Sequence, residues 1–319
     1  MPQSMISLRD VTKRYAGGAG DAVSALSLDV AEGETCVLVG PSGCGKTTTM
    51  RMINRLIEPT AGSITVNGVD VLHQDPVELR RGIGYVIQGV GLMPHHTVAQ
   101  NIATVPQLLG WTQDRIRERT GELLELFELP EDLLGRYPSE LSGGQRQRVG
   151  VSRALAADPP VMLMDEPFAA VDPIVRGRLQ RQFLEIQRRL RKTIVFVTHD
   201  VDEAITMADR IAILSAGGVL EQHATPGEIL RSPANDFVAR FVGSERNLKR
   251  LALIPISEVT LDGAPSDEPG VARIHVGATL RQALDAIVGG DAGYVVVVDA
   301  DGLPLGSLTL ARISAEIAG

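Results

Sequence analysis

Residues Gly40–Thr47 have the types and spacing of a phosphate-binding loop. They read GPSGCGKT, match the pattern G-x-x-x-x-G-K-S/T, and lie between a predicted strand, Glu34–Val39, and a helix predicted from Thr47 to about Glu58. Glycines let successive backbone N–H groups point into one concavity for phosphate oxygens, and the helix N-terminus adds a favourable dipole. Lys46 would reach the β- and γ-phosphates, and the Thr47 hydroxyl would bind Mg²⁺. The predicted nucleotide contacts are Gly40, Pro41, Ser42, Gly43, Cys44, Gly45, Lys46, Thr47 and Thr48.

Two carboxylates, Asp165 and Glu166, end the apolar run Val161–Met164. An apolar strand that ends in Asp-Glu often marks only a strand edge. If it lies beside Glu34–Val39 in a parallel sheet, however, Asp165 emerges at the same edge as the phosphate loop. There Asp165 can hold Mg²⁺ through water, and Glu166 can polarise an attacking water as a general base. Together with the loop, the pair indicates nucleotide hydrolysis.

The elements that must position these groups alternate between strand and helix. Predicted strands include Ile6–Val11, Ala25–Val30 and Thr193–Thr198, and residues from about 88 to 153 are mostly helical. Helices between buried strands predict an α/β fold with parallel strands and crossovers. After about residue 243 a second, small α/β domain is predicted, with a linker at Asp262–Gly270, a helix at Thr279–Val288, and strands at Tyr294–Val298 and Gly306–Thr309.

Composition narrows the function classes. The chain has 319 residues and a net charge of −8, from 31 basic and 39 acidic residues, which disfavours a dedicated nucleic-acid binder. Two cysteines cannot form a disulfide framework, which favours a reducing compartment, and the first ten residues lack the apolar stretch of a signal peptide.

The segment Gly82–Gln113 has no Asp, Glu, Lys or Arg, but prolines and polar residues interrupt it, so we do not expect it to span a membrane. Docking against an apolar partner and a partly buried helical subdomain both explain its lack of charge.

A third motif, Leu141–Gln145, reads LSGGQ and lies just ahead of the Asp165 strand. With the two nucleotide motifs, it makes residues 4–243 resemble the ATP-binding subunit of ABC transporters. The resemblance implies a P-loop ABC-type ATPase with a mixed sheet and a helical subdomain at about 88–153. It also implies that Ser142, Gly143, Gly144 and Gln145 cap the γ-phosphate of ATP bound by another subunit. A hydroxyl and glycine N–H groups that open a helix form an anion site, which fits this role.

The resemblance carries over to four further residues. Tyr15 matches an aromatic residue that stacks on adenine, although a core tyrosine is the alternative. Gln88 matches the residue that contacts Mg²⁺ and the attacking water and senses the membrane subunit, and His199 matches the switch histidine at the γ-phosphate. Asp172, in AAVD where the family commonly has SALD, matches the D-loop. The implied catalytic residues are thus Glu166, His199 and Gln88, and the implied metal contacts are Thr47, Gln88 and Asp165.

The same resemblance implies a mechanism and partners. Two copies form a head-to-tail homodimer, each ATP lying between the Lys46 loop of one copy and the Ser142 segment of the other. ATP binding closes the pair and hydrolysis reopens it. The implied partners are membrane permease subunits and an extracytoplasmic substrate-binding protein, with no nucleic acid, at the cytoplasmic face of the inner membrane. By contrast, the adjacent His95 and His96 are expected to be solvent-exposed.

The cargo is suggested by the segments Gly91–Val98, Asn101–Pro106 and Leu108–Trp111. They resemble importers of the osmoprotectants glycine betaine, carnitine and choline, and Asp165–Phe168 and Asp172–Ile174 agree. An importer of another solute, such as a polyamine or a sugar, is the first alternative. A soluble ABC ATPase that acts on DNA or ribosomes is the second, although such proteins typically add a long coiled coil or a second cassette.

The tail, residues 251–317, resembles a single cystathionine-β-synthase (CBS) module, with the match carried by Leu280–Gly306. Osmoprotectant ATPases often carry two such modules in tandem, whereas one copy fits here. Pairing of two tails between subunits and a purely stabilising domain are both open. Sensing of ionic strength or of a nucleotide is open as well.

Overall fold

The computed structural model describes residues 4–17, 20–169, 171–263 and 270–318. The chain divides into two compact units, 1–226 and 227–319. A compact unit is not the same as a domain defined by family resemblance, so the ranges 4–243 and 251–317 stay predictions. No helix among the described residues is both long enough and apolar enough to cross a bilayer.

The first unit is built on two sheets. Its strands are β1 (Ser4–Arg14), β2 (Asp21–Ala31), β3 (Thr35–Val39), β4 (Ala61–Val66), β5 (Val69–Asp70), β6 (Ile83–Val86), β7 (Val161–Asp165), β8 (Thr193–Thr198), β9 (Arg210–Ser215) and β10 (Val219–Ala224). Its helices are α1 (Lys46–Ile53), α2 (Pro76–Arg81), α3 (Val98–Leu108), α4 (Gln113–Leu126), α5 (Gly143–Leu155), α6 (Pro173–Leu190) and α7 (Val201–Met207).

The central sheet has the order β10-β9-β3-β8-β7-β6, with β9, β3, β8, β7 and β6 parallel and β10 antiparallel to β9. Every residue of β3, β7 and β8 is buried, because helices and the second sheet cover both faces; this accounts for their continuous apolar runs. The antiparallel second sheet, β2-β1-β4-β5, shares one hydrophobic core with the first, in which Ile6 and Leu8 of β1 join Leu38 of β3. The mixed sheet predicted from the sequence is thus confirmed.

Two local expectations are wrong. β7 does not lie beside β3, because β8 pairs with both of them. All three strands are parallel, so their carboxyl ends still share one edge. Helix α1 ends at Ile53 rather than near Glu58, since Arg55 adopts a φ of +50° and Pro59 disfavours helical backbone before it.

The helical segment of the first unit comprises α3, α4 and α5, and each helix begins at a hydroxyl cap. Thr97, Thr112 and Ser142 accept hydrogen bonds from backbone N–H groups of the first turn. Residues 88–97, which precede α3, form a loop rather than helix. His95 and His96 are exposed in that loop, as predicted.

The second unit contains α9 (Asp236–Val242), α10 (Arg246–Leu251), α11 (Leu280–Val288) and α12 (Leu310–Ala318); α8 (Pro226–Arg231) begins at the boundary. Its strands β11 (Arg273–His275), β12 (Tyr294–Val298) and β13 (Pro304–Thr309) form a sheet, with β11 parallel and β13 antiparallel to β12. Val295, Val297, Leu280 and Leu308 centre its core. Of the linker expected at Asp262–Gly270, residues 264–269 lie outside the described residues. Asp262 is anchored, because its carboxylate accepts hydrogen bonds from Thr309 Oγ1 at 2.8 Å and Arg312 Nη2 at 3.0 Å.

Candidate functional site

The loop between β3 and α1 follows a tightly constrained path. A Cβ at Gly40 would collide with the carbonyl oxygen of Leu214, and a Cβ at Gly45, where φ is +103°, would collide with that of Ala22. Only glycine fits either position without moving backbone. The loop's outer residues Pro41, Ser42 and Gly43 are exposed, and no acidic residue lies in the first turn of α1 to offset its dipole. The loop therefore presents an open, electropositive concavity suited to phosphate.

Lys46 is held inside this loop and is only 6% exposed. Its Nζ donates to the carbonyl oxygens of Gly40, at 2.7 Å, and Pro41, at 2.9 Å. Cys44 Sγ lies 3.7 Å from the same Nζ. Two backbone carbonyls thus fix the ammonium group in the concavity. No carboxylate among the described residues bonds to it, so its charge stays available for an anionic ligand.

Thr47 and Asp165 form an oxygen-only site beside the loop. Thr47 Oγ1 lies 3.2 Å from Asp165 Oδ1, and Asp165 is 5% exposed. Burial raises the pKa of Asp165 above its ordinary value, the hydrogen bond from Thr47 lowers it in part, and neighbouring Glu166 adds to the increase. Mg²⁺ prefers hard oxygen ligands, and a buried carboxylate lacking a full counter-charge fits a divalent cation. These residues therefore fit the predicted metal.

Glu166 links three strand ends. Its Oε2 accepts from Gln88 Nε2 at 3.0 Å, and its Oε1 lies 3.1 Å from His199 Nδ1. Gln88, Glu166 and His199 follow β6, β7 and β8, which are neighbours in the sheet, so their side chains converge at one edge. The backbone of Glu166 adopts a φ of +46°, rare for a residue with a Cβ, and its N–H donates to Val197 O at 2.9 Å. Of the three residues predicted as catalytic, Gln88 and His199 thus each contact the third, Glu166.

Tyr15, at the end of β1, is 46% exposed, so the alternative of a core tyrosine is wrong. Lys13 Nζ lies 5.3 Å from the centroid of its ring. An exposed aromatic face supported by a cation is available for stacking.

The LSGGQ segment forms a separate surface of the same unit. Ser142 caps α5, accepting from Gln145 N at 3.2 Å, while its own N–H donates to Gln145 Oε1 at 2.9 Å. Ser142 and Gly143 are exposed, as is Asp172. They line a groove of about 420 Å³ together with Gly144 and residues of α6, and none of residues 40–47 is part of that lining. The structure thus brings Ser142 and Asp172 to one groove, which no residue of the Lys46 loop lines. Ala170 of the AAVD motif lies outside the described residues.

Two residues that support the loop after Gln88 were not predicted from the sequence. Arg153 Nη1 donates to Gly91 O at 2.6 Å, and Arg153 Nη2 to Val90 O at 3.3 Å, so it holds the loop that follows Gln88. Asn101, fully buried, accepts from Met93 N and donates to the carbonyl oxygens of Met93, His96 and Thr97. A buried amide in an uncharged helix was the available signal, since such a group requires several partners.

Known proteins resemble this chain in sequence and in fold. The family model described as ABC transporter matches residues 23–169. The chain is 52% identical over 295 residues to the glycine betaine/carnitine/choline transport ATP-binding protein OpuCA of Bacillus subtilis, covering 92% of this chain and 76% of the relative. It is 49% identical over 306 residues to the osmoprotectant import ATP-binding protein OsmV of Salmonella typhimurium, covering 95% and 78%. The dimeric ATP-binding cassette MJ0796, solved with ADP and Pi, matches with a TM-score of 0.62 at 34% identity, over 69% of this chain and 98% of its own.

Fold, site and relatives agree on the class: this is an α/β P-loop ATPase of the ABC type, an enzyme that binds ATP with Mg²⁺ and hydrolyses it. Within that class, the chain belongs to the ABC transporter family, in the group of ATP-binding subunits formed by the osmoprotectant-transport relatives. The ATPase part of the predicted fold is confirmed. The CBS-like character of the second unit stays a prediction.

Proposed function

We propose that this ATPase energises the uptake of quaternary ammonium osmoprotectants such as glycine betaine, carnitine and choline. The observation that carries the proposal is the match, over more than nine-tenths of this chain, to two relatives whose names specify these solutes or osmoprotectants. Relatives for other cargo also exist, among them a spermidine/putrescine import ATP-binding protein of Acidothermus cellulolyticus, 48% identical over 75% of this chain and 62% of the relative. A polyamine importer is therefore the second candidate.

In the proposed site, ATP phosphates occupy the concavity of residues 40–48, and adenine stacks on Tyr15. Thr47 and Asp165 hold Mg²⁺ together with Gln88, whose Nε2 already donates to Glu166 and whose Oε1 is the atom able to ligate. When bound, Mg²⁺ neutralises charge that develops on the phosphates. Lys46 supplies a second, fixed positive charge, so the phosphate oxygens meet both a cation and the N–H groups of the loop.

Glu166 acts as the general base in this proposal. Its carboxylate accepts a proton from the attacking water, while Gln88 and His199 hold the two carboxylate oxygens from opposite sides. His199 is 60% exposed, which leaves its ring accessible to a γ-phosphate. The three residues follow strands that end at the same sheet edge as the Lys46 loop, which supports a base at the edge that holds the anion site.

The Ser142 surface completes the site from a second copy. This surface presents the N-terminus of α5, formed by Ser142, Gly143, Gly144 and Gln145. The groove beside it is also lined by Asp172, and none of residues 40–47 lines that groove. A head-to-tail homodimer would bring this anion-binding surface onto ATP held by the partner's loop. ATP closes the pair because it favours the state in which both surfaces bind it.

The proposed setting is the cytoplasmic face of the cell membrane, where the dimer would bind membrane permease subunits. An extracytoplasmic substrate-binding protein would deliver the solute to these permease subunits. The uncharged segment Gly82–Gln113 supports such docking. The proposed tail domain, residues 251–317, would act as a single CBS-like regulatory module that pairs between subunits or stabilises the chain.

Two experiments test the proposal. Glu166→Gln is expected to lower turnover by about 100-fold or more while MgATP binding persists and an ATP-bound dimer accumulates. Glu185→Gln, at an exposed position of α6, is the matched control. Unchanged hydrolysis in Glu166→Gln would refute the role of that residue.

Cargo is tested by transport into vesicles that carry the chain with its cognate permease and binding protein. Radiolabelled glycine betaine, choline and carnitine should accumulate with ATP, and spermidine should not. Uptake of spermidine alone would replace the proposal with the second candidate.

A further inference from the structure

Away from the nucleotide, one residue of each of three ligand types meets at the amino end of β3. Glu34 precedes β3, Cys36 lies within it, and His223 lies in β10; one ligand atom of each lies within 4.8 Å of the other two. The Lys46 loop follows the opposite end of the same strand. We propose that Glu34, Cys36 and His223 form a binding site for a thiophilic divalent cation of the Zn²⁺ class, separate from the Mg²⁺ site.

Sheet register explains how residues 187 positions apart come together. Cys36 pairs with Arg210 of β9, and His223 pairs with Ala212, two residues further along β9, so all four side chains lie on one face of the sheet. Ala212 is small and fully buried. Its methyl group leaves room for Cys36 and His223 to approach each other across the strand that separates them.

The distances suit a tetrahedral ion. Cys36 Sγ lies 3.9 Å from His223 Nε2. With Zn–S near 2.3 Å and Zn–N near 2.0–2.1 Å, a tetrahedral angle puts the two ligand atoms about 3.6 Å apart. Closure by a few tenths of an ångström would complete this ligand pair, a change that side-chain torsions can supply.

The side chain of Glu34 gives an independent observation that points to a bound cation. Its Oε1 is buried and has no hydrogen-bond partner among the described residues. A buried carboxylate oxygen without a partner requires either a proton or a cation. Burial raises the pKa of both Glu34 and Cys36, which disfavours their charged forms in the absence of an ion.

The chemistry of the ligands selects the ion. Thiolate and imidazole favour Zn²⁺ and similar metals, whereas Mg²⁺ and Ca²⁺ prefer oxygen alone. Binding would form bonds to Cys36 Sγ, His223 Nε2 and a Glu34 oxygen, and would release to solvent the thiol proton and any proton that the Glu34 carboxyl carries. Water would fill the fourth position.

Arg210 is the competitor for this site. Its Nε donates to His223 Nε2 at 3.3 Å, and its Nη2 donates to His223 O at 3.0 Å. An ion would replace the first hydrogen bond and leave the second in place. Removing the guanidinium should therefore tighten binding, an effect that a site with a purely structural arginine would not show.

The experiment uses the full chain, stripped of metal under reducing conditions and titrated with Co²⁺ and then Zn²⁺. We expect one equivalent of Co²⁺ to give a near-ultraviolet thiolate-to-metal absorption that Zn²⁺ abolishes. Cys36→Ser should remove the band, Glu34→Gln and His223→Gln should weaken binding by about tenfold or more, and Arg210→Gln should strengthen it several-fold. Cys44→Ser, at the other cysteine, should keep the band.

X-ray absorption should show one sulfur at about 2.3 Å. If Cys36→Ser fails to fold, the Glu34 and His223 variants decide the question on their own. Absence of the band, its loss in Cys44→Ser but not in Cys36→Ser, or weaker binding in Arg210→Gln would overturn the proposal.

Discussion

The two halves of the proposed ATP site differ in how far a single chain completes them. In the half formed by strand ends, Lys46 and Asp165 are 6% and 5% exposed, and each bonds to other residues of the site. In the half formed by the LSGGQ segment, Ser142 is exposed and its cap bonds close on Gln145 alone. The first half is therefore rigid before nucleotide arrives.

This difference has a physical basis. Parallel strands deliver their carboxyl ends to one edge, so groups on four neighbouring strands are fixed by the sheet. A helix N-terminus on the surface has N–H groups directed outward, and an anion that comes from outside can satisfy them. The contrast suggests that the strand-end half binds ATP alone, whereas the LSGGQ half contributes only across a dimer.

The largest expected effect is the loss of nucleotide binding in Lys46→Ala. Removing the fixed ammonium deletes charge-assisted bonds to phosphate, which should weaken MgATP binding by about 100-fold or more. Calorimetry with MgATP measures this. Lys192→Ala is the control. Lys192 precedes the first residue of β8, at the edge of the sheet opposite the Lys46 loop, and its Nζ lies 2.9 Å from Asp158 Oδ1. Equal weakening in both variants would show that Lys46 has no special role.

Next in size is the effect of Ser142→Arg, which should block the second half of the site. Hydrolysis should fall by about 100-fold, since donors to the γ-phosphate are lost, while ATP binding by the single chain persists. Thr112→Arg, which alters the hydroxyl cap of α4, is the matched control.

Mixing the Ser142→Arg and Lys46→Ala chains sharpens the comparison. A mixed head-to-tail pair contains one intact site, made of the unaltered loop of one chain and the unaltered LSGGQ segment of the other. We therefore expect turnover to return on mixing. If both halves acted within one chain, no mixture would recover activity.

A smaller effect is expected for Tyr15→Ala. Loss of stacking should weaken ATP binding by about 1–2 kcal/mol, roughly 5- to 30-fold, and Tyr15→Trp should retain affinity. Tyr137→Ala is a matched control, since Tyr137 is 45% exposed. Equal affinity for ATP and for inorganic triphosphate in the unaltered chain would contradict the stacking role.

The smallest effect concerns Glu203, which connects the two halves. Gln180 of α6 donates to Glu203 Oε1 at 2.9 Å, and α7, which carries Glu203, begins two residues after His199. Burial raises the pKa of Glu203 above its usual 4.5. Its contribution to stability is therefore complete below pH 4.5 and is lost as the pH rises through the raised value.

Glu203→Gln should then stabilise the fold at pH 8 by about 1 kcal/mol, a few degrees in melting temperature, and the gain should shrink towards pH 4. Thermal unfolding at both pH values measures this, with Glu185→Gln as the control. A gain that is the same at pH 4 and pH 8 would exclude titration of Glu203 as its cause.

Much of the catalytic half could be predicted from the sequence because its signals are local. The loop from Gly40 to Thr47 needs only a contiguous strand, turn and helix, and Asp165 and Glu166 end a short apolar run of the kind typical of a buried strand. The helix cap at Ser142 is local too. By contrast, Arg153 and Asn101 support the loop after Gln88 through bonds to backbone carbonyls. An amide within an uncharged segment marks Asn101 as a candidate, but no residue pattern identifies the carbonyls that either side chain binds.

The sequence by itself determined which residues are candidates for phosphate and proton chemistry, since spacing within one segment fixes how backbone N–H groups and side chains face a ligand. Tertiary structure alone decided that β8 separates β3 from β7, that Gln88 and His199 both contact Glu166, and that Ser142 and Asp172 line one groove. It also decided that Cys36 and His223 face each other across β9. Strand order depends on the packing of whole faces between distant segments, and local periodicity carries no record of which strands become neighbours.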